Sequence, residues 1–343
     1  MLFTAPSFFI PQMFAASWNA AGRRLMRQAI RWKKVTIPKL PDCPVCDVLP
    51  YPTLCDLRLM KHVLALTLLA MIAFAGNSII VRMALASESI GPLSFGVIRL
   101  LAGAIVLALL VSLKRAFKSG SWKGALCLLT YVVFFSYAYL SLDAGTGALI
   151  LFATVQIVMI GSGIRQGERL STIQWLGTGI ACLGLVFLLR PGAVASPDPL
   201  GALMMGMAGL GWALYSLLGR HVEVPTLATA GNFAKGFMLV LLISLPLLWI
   251  RPEEFPSIKG VVLAIVSGGV TSGLGYALWY RVLRYLPATR AGIAQLSVPA
   301  LAAVGGLIFL NEAVTVRLLI TSAMVLGGVA IATLHQRRAD ERE

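Results

Sequence analysis

Between about residue 60 and residue 335 the chain alternates long apolar stretches with short polar connections. Ten such stretches can be drawn, at 62–82, 92–113, 124–142, 146–164, 172–190, 199–219, 228–250, 260–281, 291–310 and 315–334. Each is close to the roughly 20 residues an α-helix needs to cross a hydrocarbon core about 30 Å thick. The last five echo the first five at a nearly constant offset. Ala144/Ala288, Glu168/Glu312 and Gly184/Gly328 are each 144 residues apart. Arg99/Lys235 and Lys123/Lys259 are 136 apart, and Phe74/Trp212 and Arg82/Arg220 are 138 apart. A unit with an odd number of crossings enters the membrane from the opposite side when it recurs. The pattern therefore predicts an all-α integral membrane protein of ten transmembrane helices, arranged as two inverted five-helix repeats. The expected segments are an extension at 1–59, a first repeat at 60–190, a second at 199–335 and a tail at 336–343.

Composition agrees with a life in lipid. The chain is 58% hydrophobic and 13% charged, with a mean hydropathy of +0.84, whereas soluble domains carry about 25% charged residues. The net charge of +15 would point to nucleic acid if it formed a patch on a soluble fold. Its distribution points elsewhere. With the N-terminus inside, fifteen Lys and Arg flank the inner connections, against Arg82, Arg190, Arg251, Lys259 and Arg317 on the outer ones. This positive-inside bias predicts that both termini are cytoplasmic, and no nucleic-acid partner is expected.

The first 59 residues stand outside the repeat. They hold seven prolines and a basic run from Arg23 to Lys39. Three readings stay open. The stretch is a surface-lying amphipathic helix around 17–34, an organellar presequence, or a dispensable extension ahead of a working start at Met60. Cys43 and Cys46 form a lone CxxC without the second pair that a metal site needs. Cys127 and Cys182 lie inside apolar stretches, as small packing residues do.

Catalytic machinery is absent from the pattern. There is no HExxH, nucleophile elbow or Walker A loop, and His62, His221 and His335 all fall at the ends of stretches. No enzyme activity, metal or cofactor is expected, and drive by ATP would need a separate subunit. Asp143, Glu168 and Glu312 sit at stretch ends, with no acidic residue at mid-span. Any ion coupling then uses an end-positioned group such as Asp143.

Two cations, Arg99 and Lys235, do lie within stretches, at matching repeat positions. A charge at mid-membrane costs about 2.5–3.5 kcal/mol on insertion scales. Either these residues attract an anionic or carboxylate-bearing solute, or they snorkel to the headgroups. Polar and aromatic residues gather in stretches 1, 3, 4, 6, 8 and 9. They include Asn77, Tyr131, Tyr137, Gln156, Trp212, Tyr215, Ser272, Tyr276 and Gln295. Membrane-buried amides need hydrogen-bond partners, so these positions face another helix or a wet cavity. Pro299 removes a backbone hydrogen bond and is expected to open stretch 9 locally. The glycines at 268, 269, 273 and 275 permit close packing or bending.

The run from Gly275 to Ile331 resembles the second-half signature of the EamA family in the drug/metabolite transporter superfamily. It has an aromatic-rich helix ending in Leu286-Pro287-Ala288, a small-residue helix with central Pro299, a corner at Leu310-Asn311-Glu312 and a Gly-containing last helix. Asn311 stands where the family usually has Gly. The first half carries a weaker copy in Asp143-Ala144-Gly145 and Gln166-Gly167-Glu168, with Gln156 near the family's proline. Ala75-Gly76-Asn77-Ser78 and Gly211-Trp212-Ala213-Leu214-Tyr215 resemble the matching openings of the two halves. The resemblance implies ten helices around a central cavity, in a multi-pass protein of the bacterial plasma (inner) membrane. It implies export or exchange of small metabolites, often amino acids, by a monomer or weak homodimer. Positions matching the family cavity are Asn77, Tyr137, Gln156, Trp212, Tyr276 and Gln295. The expected partners are a small-molecule substrate and the lipid bilayer. Two other readings compete: an efflux protein for drugs and hydrophobic cations, and a non-transporting membrane scaffold or lipid-modifying enzyme.

Overall fold

The computed structural model describes residues 54–340 except 112, 166, 168–169, 191–195, 220–221, 251–252, 254, 284 and 287–293. The expectations for the extension, its CxxC, Glu168 and the Leu286-Pro287-Ala288 turn lie wholly or partly outside the described residues. Of the two units into which the chain divides, Met1–Arg58 and Leu59–Glu343, the second carries the architecture.

Every regular element among the described residues is helical. In chain order they are α1 (Leu54–Ala86), α2 (Pro92–Val111), α3 (Leu113–Lys118), α4 (Trp122–Ala138), α5 (Ala144–Arg165), α6 (Thr172–Leu189), α7 (Pro199–Gly219) and α8 (Pro225–Ile250). Then follow α9 (Ile258–Val266), a π-helix (Ser267–Leu274), α10 (Gly275–Leu283), α11 (Ser297–Leu310) and α12 (Val316–Asp340). Among the described residues seven helical runs are long and apolar enough to cross a membrane, counting α9, the π-helix and α10 as one continuous run, Ile258–Leu283. Three more apolar helical segments, Trp122–Ala138, Ser297–Leu310 and Val316–Ala332, are shorter. As far as its residues are described, each of the ten apolar stretches overlaps one of these runs.

Local chemistry sets the helix ends. Pro92, Pro199 and Pro225 open α2, α7 and α8, where a missing N–H costs nothing. Ser121, Ser171 and Ser257 cap α4, α6 and α9, and Gln174 completes a capping box with Ser171. Asn311 closes α11 in the left-handed region, at φ 55°. Asn tolerates that conformation through its short polar side chain. Pro299 falls in the first turn of α11, and a turn at Leu296 interrupts the helical path just before it.

Leu68, Leu109, Leu183 and Leu242 turn outward, as lipid-facing side chains do, while the core lies between helices. The principal contacts pair α6 with α12, α4 with α7, α2 with α8, α5 with α7 and α2 with the π-helix, and α5 also packs on α11. Between α6 and α12 the backbones touch at glycines. A Cβ built on Gly177 would lie 2.6 Å from the Gly328 carbonyl oxygen, and one on Gly328 would lie 2.5 Å from that of Gly177. Small residues allow this approach where lipid gives no hydrophobic drive to helix association.

The connections cross-link in two sets. One set joins the α1–α2, α4–α5, α6–α7, α8–α9 and α11–α12 connections. Ser257 N–H donates to the Ser89 carbonyl at 2.8 Å, and Ser141 Oγ to Asp198 Oδ2 at 2.9 Å. Glu253 accepts from the Leu93 and Ser94 N–H groups at the start of α2, both at 3.1 Å. The other set lies at the α3–α4 turn, where Asn232 of α8 accepts from Ser121 N–H at 2.8 Å.

Candidate functional site

Arg99 projects from α2 into the interior with no solvent exposure. Its Nε and Nη2 donate to Ser272 Oγ at 3.3 and 3.2 Å, and Nη2 also donates to Tyr131 Oη at 3.1 Å. The guanidinium carbon lies 5.1 Å from the Tyr131 ring centre and 5.3 Å from that of Phe135. Cation–π attraction of this kind is worth about 2 kcal/mol when desolvated. Nη1 is buried and has no hydrogen-bond partner.

Asn77 of α1 completes the cluster. Its Nδ2 donates to Tyr131 Oη at 3.3 Å, and its Oδ1 accepts from Ser267 Oγ at 2.8 Å and Thr271 Oγ1 at 3.0 Å. Three hydroxyls thus come from the eight-residue π-helix. π-helical turns recur at functional sites, and here Gly268 makes the placement possible. A Cβ at Gly268 would lie 2.1 Å from the Arg99 carbonyl oxygen, so only glycine lets the π-helix rest against the backbone of α2.

An aromatic layer packs on this cluster. Trp212 of α7 stands 5.2 Å from Tyr131, 4.9 Å from Tyr276, 5.8 Å from Tyr215 and 6.3 Å from Phe74, between ring centres. Phe74 also meets Tyr276 at 5.8 Å and Trp279 at 6.0 Å. The acidic side chains described at Glu88, Asp143, Asp198, Glu223, Glu253 and Glu312 all lie in connections between helices. The buried guanidinium is therefore held by hydroxyls and ring faces. Among the described residues no group of three or more His, Cys, Asp or Glu could hold a metal.

A second polar cluster ties together one set of connections. Arg82 Nε donates to Glu312 Oε1 at 3.1 Å, and Nη1 donates to the Tyr139 and Leu140 carbonyls, each at 3.0 Å. Asp143 lies 3.7 Å from Arg82 Nη2, and Ala144 N–H donates to Glu312 Oε2 at 2.8 Å. Burial pushes the Glu312 carboxyl above its ordinary range, against the Ala144 hydrogen bond and the Arg82 charge, which pull it down.

Of the residues expected in the site, Asn77, Arg99, Trp212 and Tyr276 come together. Arg99 does not snorkel. Lys235, its repeat counterpart, reaches a helix end instead, where Nζ donates to the Ser119 and Gly120 carbonyls and stands 5.9 Å from the Trp122 ring centre. Tyr137 is half-buried near the end of α4, and Gln295 is half-buried just before α11. Gln156 lines a separate crevice with Ala153, Ile157, Thr178, Ala181 and Val329. Tyr131 and Ser272, expected with the other mid-stretch polar residues to face a neighbouring helix or a cavity, also enter the site, and Ser267 and Thr271 join them without having been expected. The combination of hydroxyls and glycines over residues 267–273 is the signal that could have found these two.

Comparison with known proteins gives the context. The model of the EamA-like transporter family matches twice, at residues 61–190 and 199–334. An uncharacterized protein of Pseudomonas aeruginosa is 44% identical over 274 residues, covering 79% of this chain and 94% of its own length. The uncharacterized transporter YwfM of Bacillus subtilis is 26% identical, covering 76% and 90%. The threonine/homoserine exporter RhtA of Escherichia coli is 32% identical over 162 residues, covering 46% and 54%. A crystal structure of a protein 22% identical to this one superposes with a TM-score of 0.57, covering 80% of this chain and 99% of that one. With membrane-length apolar helices and a family match over both halves, this multi-pass membrane chain belongs to the EamA-like transporter family.

Proposed function

We propose that the chain is a secondary transporter, an exporter or exchanger, that moves a small metabolite such as an amino acid across the bacterial inner membrane. In this reading ten helices form two inverted five-helix repeats with both termini cytoplasmic. The solute passes through a central site bordered by Asn77, Arg99, Tyr131, Trp212 and Tyr276. The observation that carries it is the Asn77–Tyr131–Arg99–Ser272 cluster. It draws side chains from α1, α2, α4 and the π-helix, which belong to both halves of the chain. Buried polar groups at membrane depth are costly and mark solute pathways.

Alternating access needs the site to open to one side at a time. The Arg82–Glu312 cluster closes one end, and the Lys235 contacts with the α3–α4 turn close the other. Rocking one repeat against the other would break one set while keeping the other. The inverted arrangement is supported by α2–α8, α5–α11 and α6–α12 packing, because each pair joins helices at equivalent repeat positions. An efflux protein for hydrophobic cations fits less well, since the buried charge at the site is positive. The match to RhtA favours a solute of amino-acid size. Purified protein in liposomes should accumulate at least one labelled solute from a panel of amino acids, sugars and phosphates. Inertness across the panel would favour a scaffold.

A further inference from the structure

The Arg99 guanidinium has five N–H donors, and its described partners occupy only one edge. Nε and Nη2 are used by Ser272 and Tyr131, while Nη1 is buried and unpaired. A fully buried, permanently charged group with an idle donor is unfavourable unless something fills that position. The described partners of Arg99 are neutral, being two hydroxyls and two ring faces. The chain therefore leaves both a charge and a hydrogen-bonding direction unanswered at one point.

We propose that Arg99 binds the carboxylate of the transported solute through Nη1, so that the substrate is a small carboxylate. This rests on the transporter reading and narrows it. Guanidinium and carboxylate match in charge and in planar geometry, and charge-assisted hydrogen bonds of this kind are roughly twice as strong as neutral ones. The rest of the solute would lie against the aromatic layer of Phe74, Trp212 and Tyr276. Those ring faces accept either an aliphatic chain or an ammonium group. Lys235 does not share the role, because its ammonium is spent on the Ser119 and Gly120 carbonyls.

The test uses full-length protein in lipid nanodiscs and reads ligand-induced change in melting temperature and tracer binding. The probes are L-threonine, L-homoserine, butyrate, L-threonine methyl ester, L-threoninamide and inorganic phosphate. At least one carboxylate should bind, and the ester and amide should bind at least tenfold more weakly than their parent acid. Arg99→Gln should weaken the binding carboxylate at least tenfold, and Arg99→Lys, which keeps the charge and loses the fork, by less. Binding of butyrate would assign recognition to the carboxylate alone, and binding restricted to the amino acids would add the ammonium; either supports the proposal. Equal binding of acid, ester and amide would overturn it without recourse to any variant. Binding of phosphate alone, binding of no carboxylate, or undiminished binding by a folded Arg99→Gln protein would also overturn it. Transport of an uncharged solute, unchanged in Arg99→Gln, would leave the transporter reading intact and remove this inference alone.

Discussion

The hydroxyl of Tyr131 receives hydrogen bonds from both Asn77 Nδ2, at 3.3 Å, and Arg99 Nη2, at 3.1 Å. One oxygen thus links α1 to α2 through α4, and the amide and the guanidinium depend on it together. Tyr131→Phe keeps the ring, and with it the cation–π contact, but leaves both donors a partner short. Loss of a buried partner costs about 1–3 kcal/mol. The variant should melt at a lower temperature and transport less per folded molecule. Unchanged melting and uptake would mean that the two donors find other partners.

Trp212 and Gln156 should respond differently. Trp212 touches four rings of the central layer, whereas Gln156 lines a crevice between α5, α6 and α12. Aromatic pairs are worth about 0.5–1.5 kcal/mol beyond their burial. Trp212→Ala should therefore lower uptake normalised to folded protein by several-fold. Gln156→Ala should lower it by less than about twofold, a change worth under 1 kcal/mol. The reverse order of effects would move the pathway to the α5–α6–α12 crevice.

The Arg82–Glu312 pair makes stability pH-dependent. Burial holds the Glu312 carboxyl above its ordinary range, which for an unperturbed Glu is about 4.3. A carboxyl so raised binds its proton more tightly in the folded chain than in the unfolded one. Its contribution thus favours the folded chain at low pH and is lost as pH rises through the folded value. The melting temperature of the wild type minus that of Glu312→Gln should fall as pH rises from about 4 toward neutral. A flat difference would place Glu312 in an ordinary solvated environment.

Orientation follows from the charge distribution. Reporter fusions after Lys118 and after Arg338 should read cytoplasmic, and one after Pro197 external, because the inner flanks carry the basic excess. A periplasmic reading at Lys118 would contradict both the bias and the inverted repeat.

Much of this architecture was legible from hydropathy alone, since burial in lipid demands long apolar helices and leaves little else to choose. Phe74 and Trp212, 138 positions apart, are both buried and meet edge to face at 6.3 Å. Spacing was less informative for Arg99 and Lys235. Equivalent positions on α2 and α8 diverge because the α3–α4 turn offers Lys235 two carbonyls, while Arg99 finds Ser272 and Tyr131. The π-helix was legible only as a run of glycines, and the close contact of Gly268 with the Arg99 backbone is a tertiary feature that local pattern does not carry. Gln156 and Gln295 were placed by likeness to a motif, and a motif does not fix which side of a helix meets the centre.

In the proposed mechanism one site is reached alternately from the two sides of the membrane. Counterflow in liposomes tests it most directly. Vesicles holding the purified protein are preloaded with the solute of highest uptake, unlabelled, and then diluted into a trace of the same solute carrying label. Exchange through one alternating site predicts a transient accumulation of label above its external concentration, reduced in Trp212→Ala and Tyr131→Phe. Label that only equilibrates, at the rate seen in vesicles without the protein, would contradict the account.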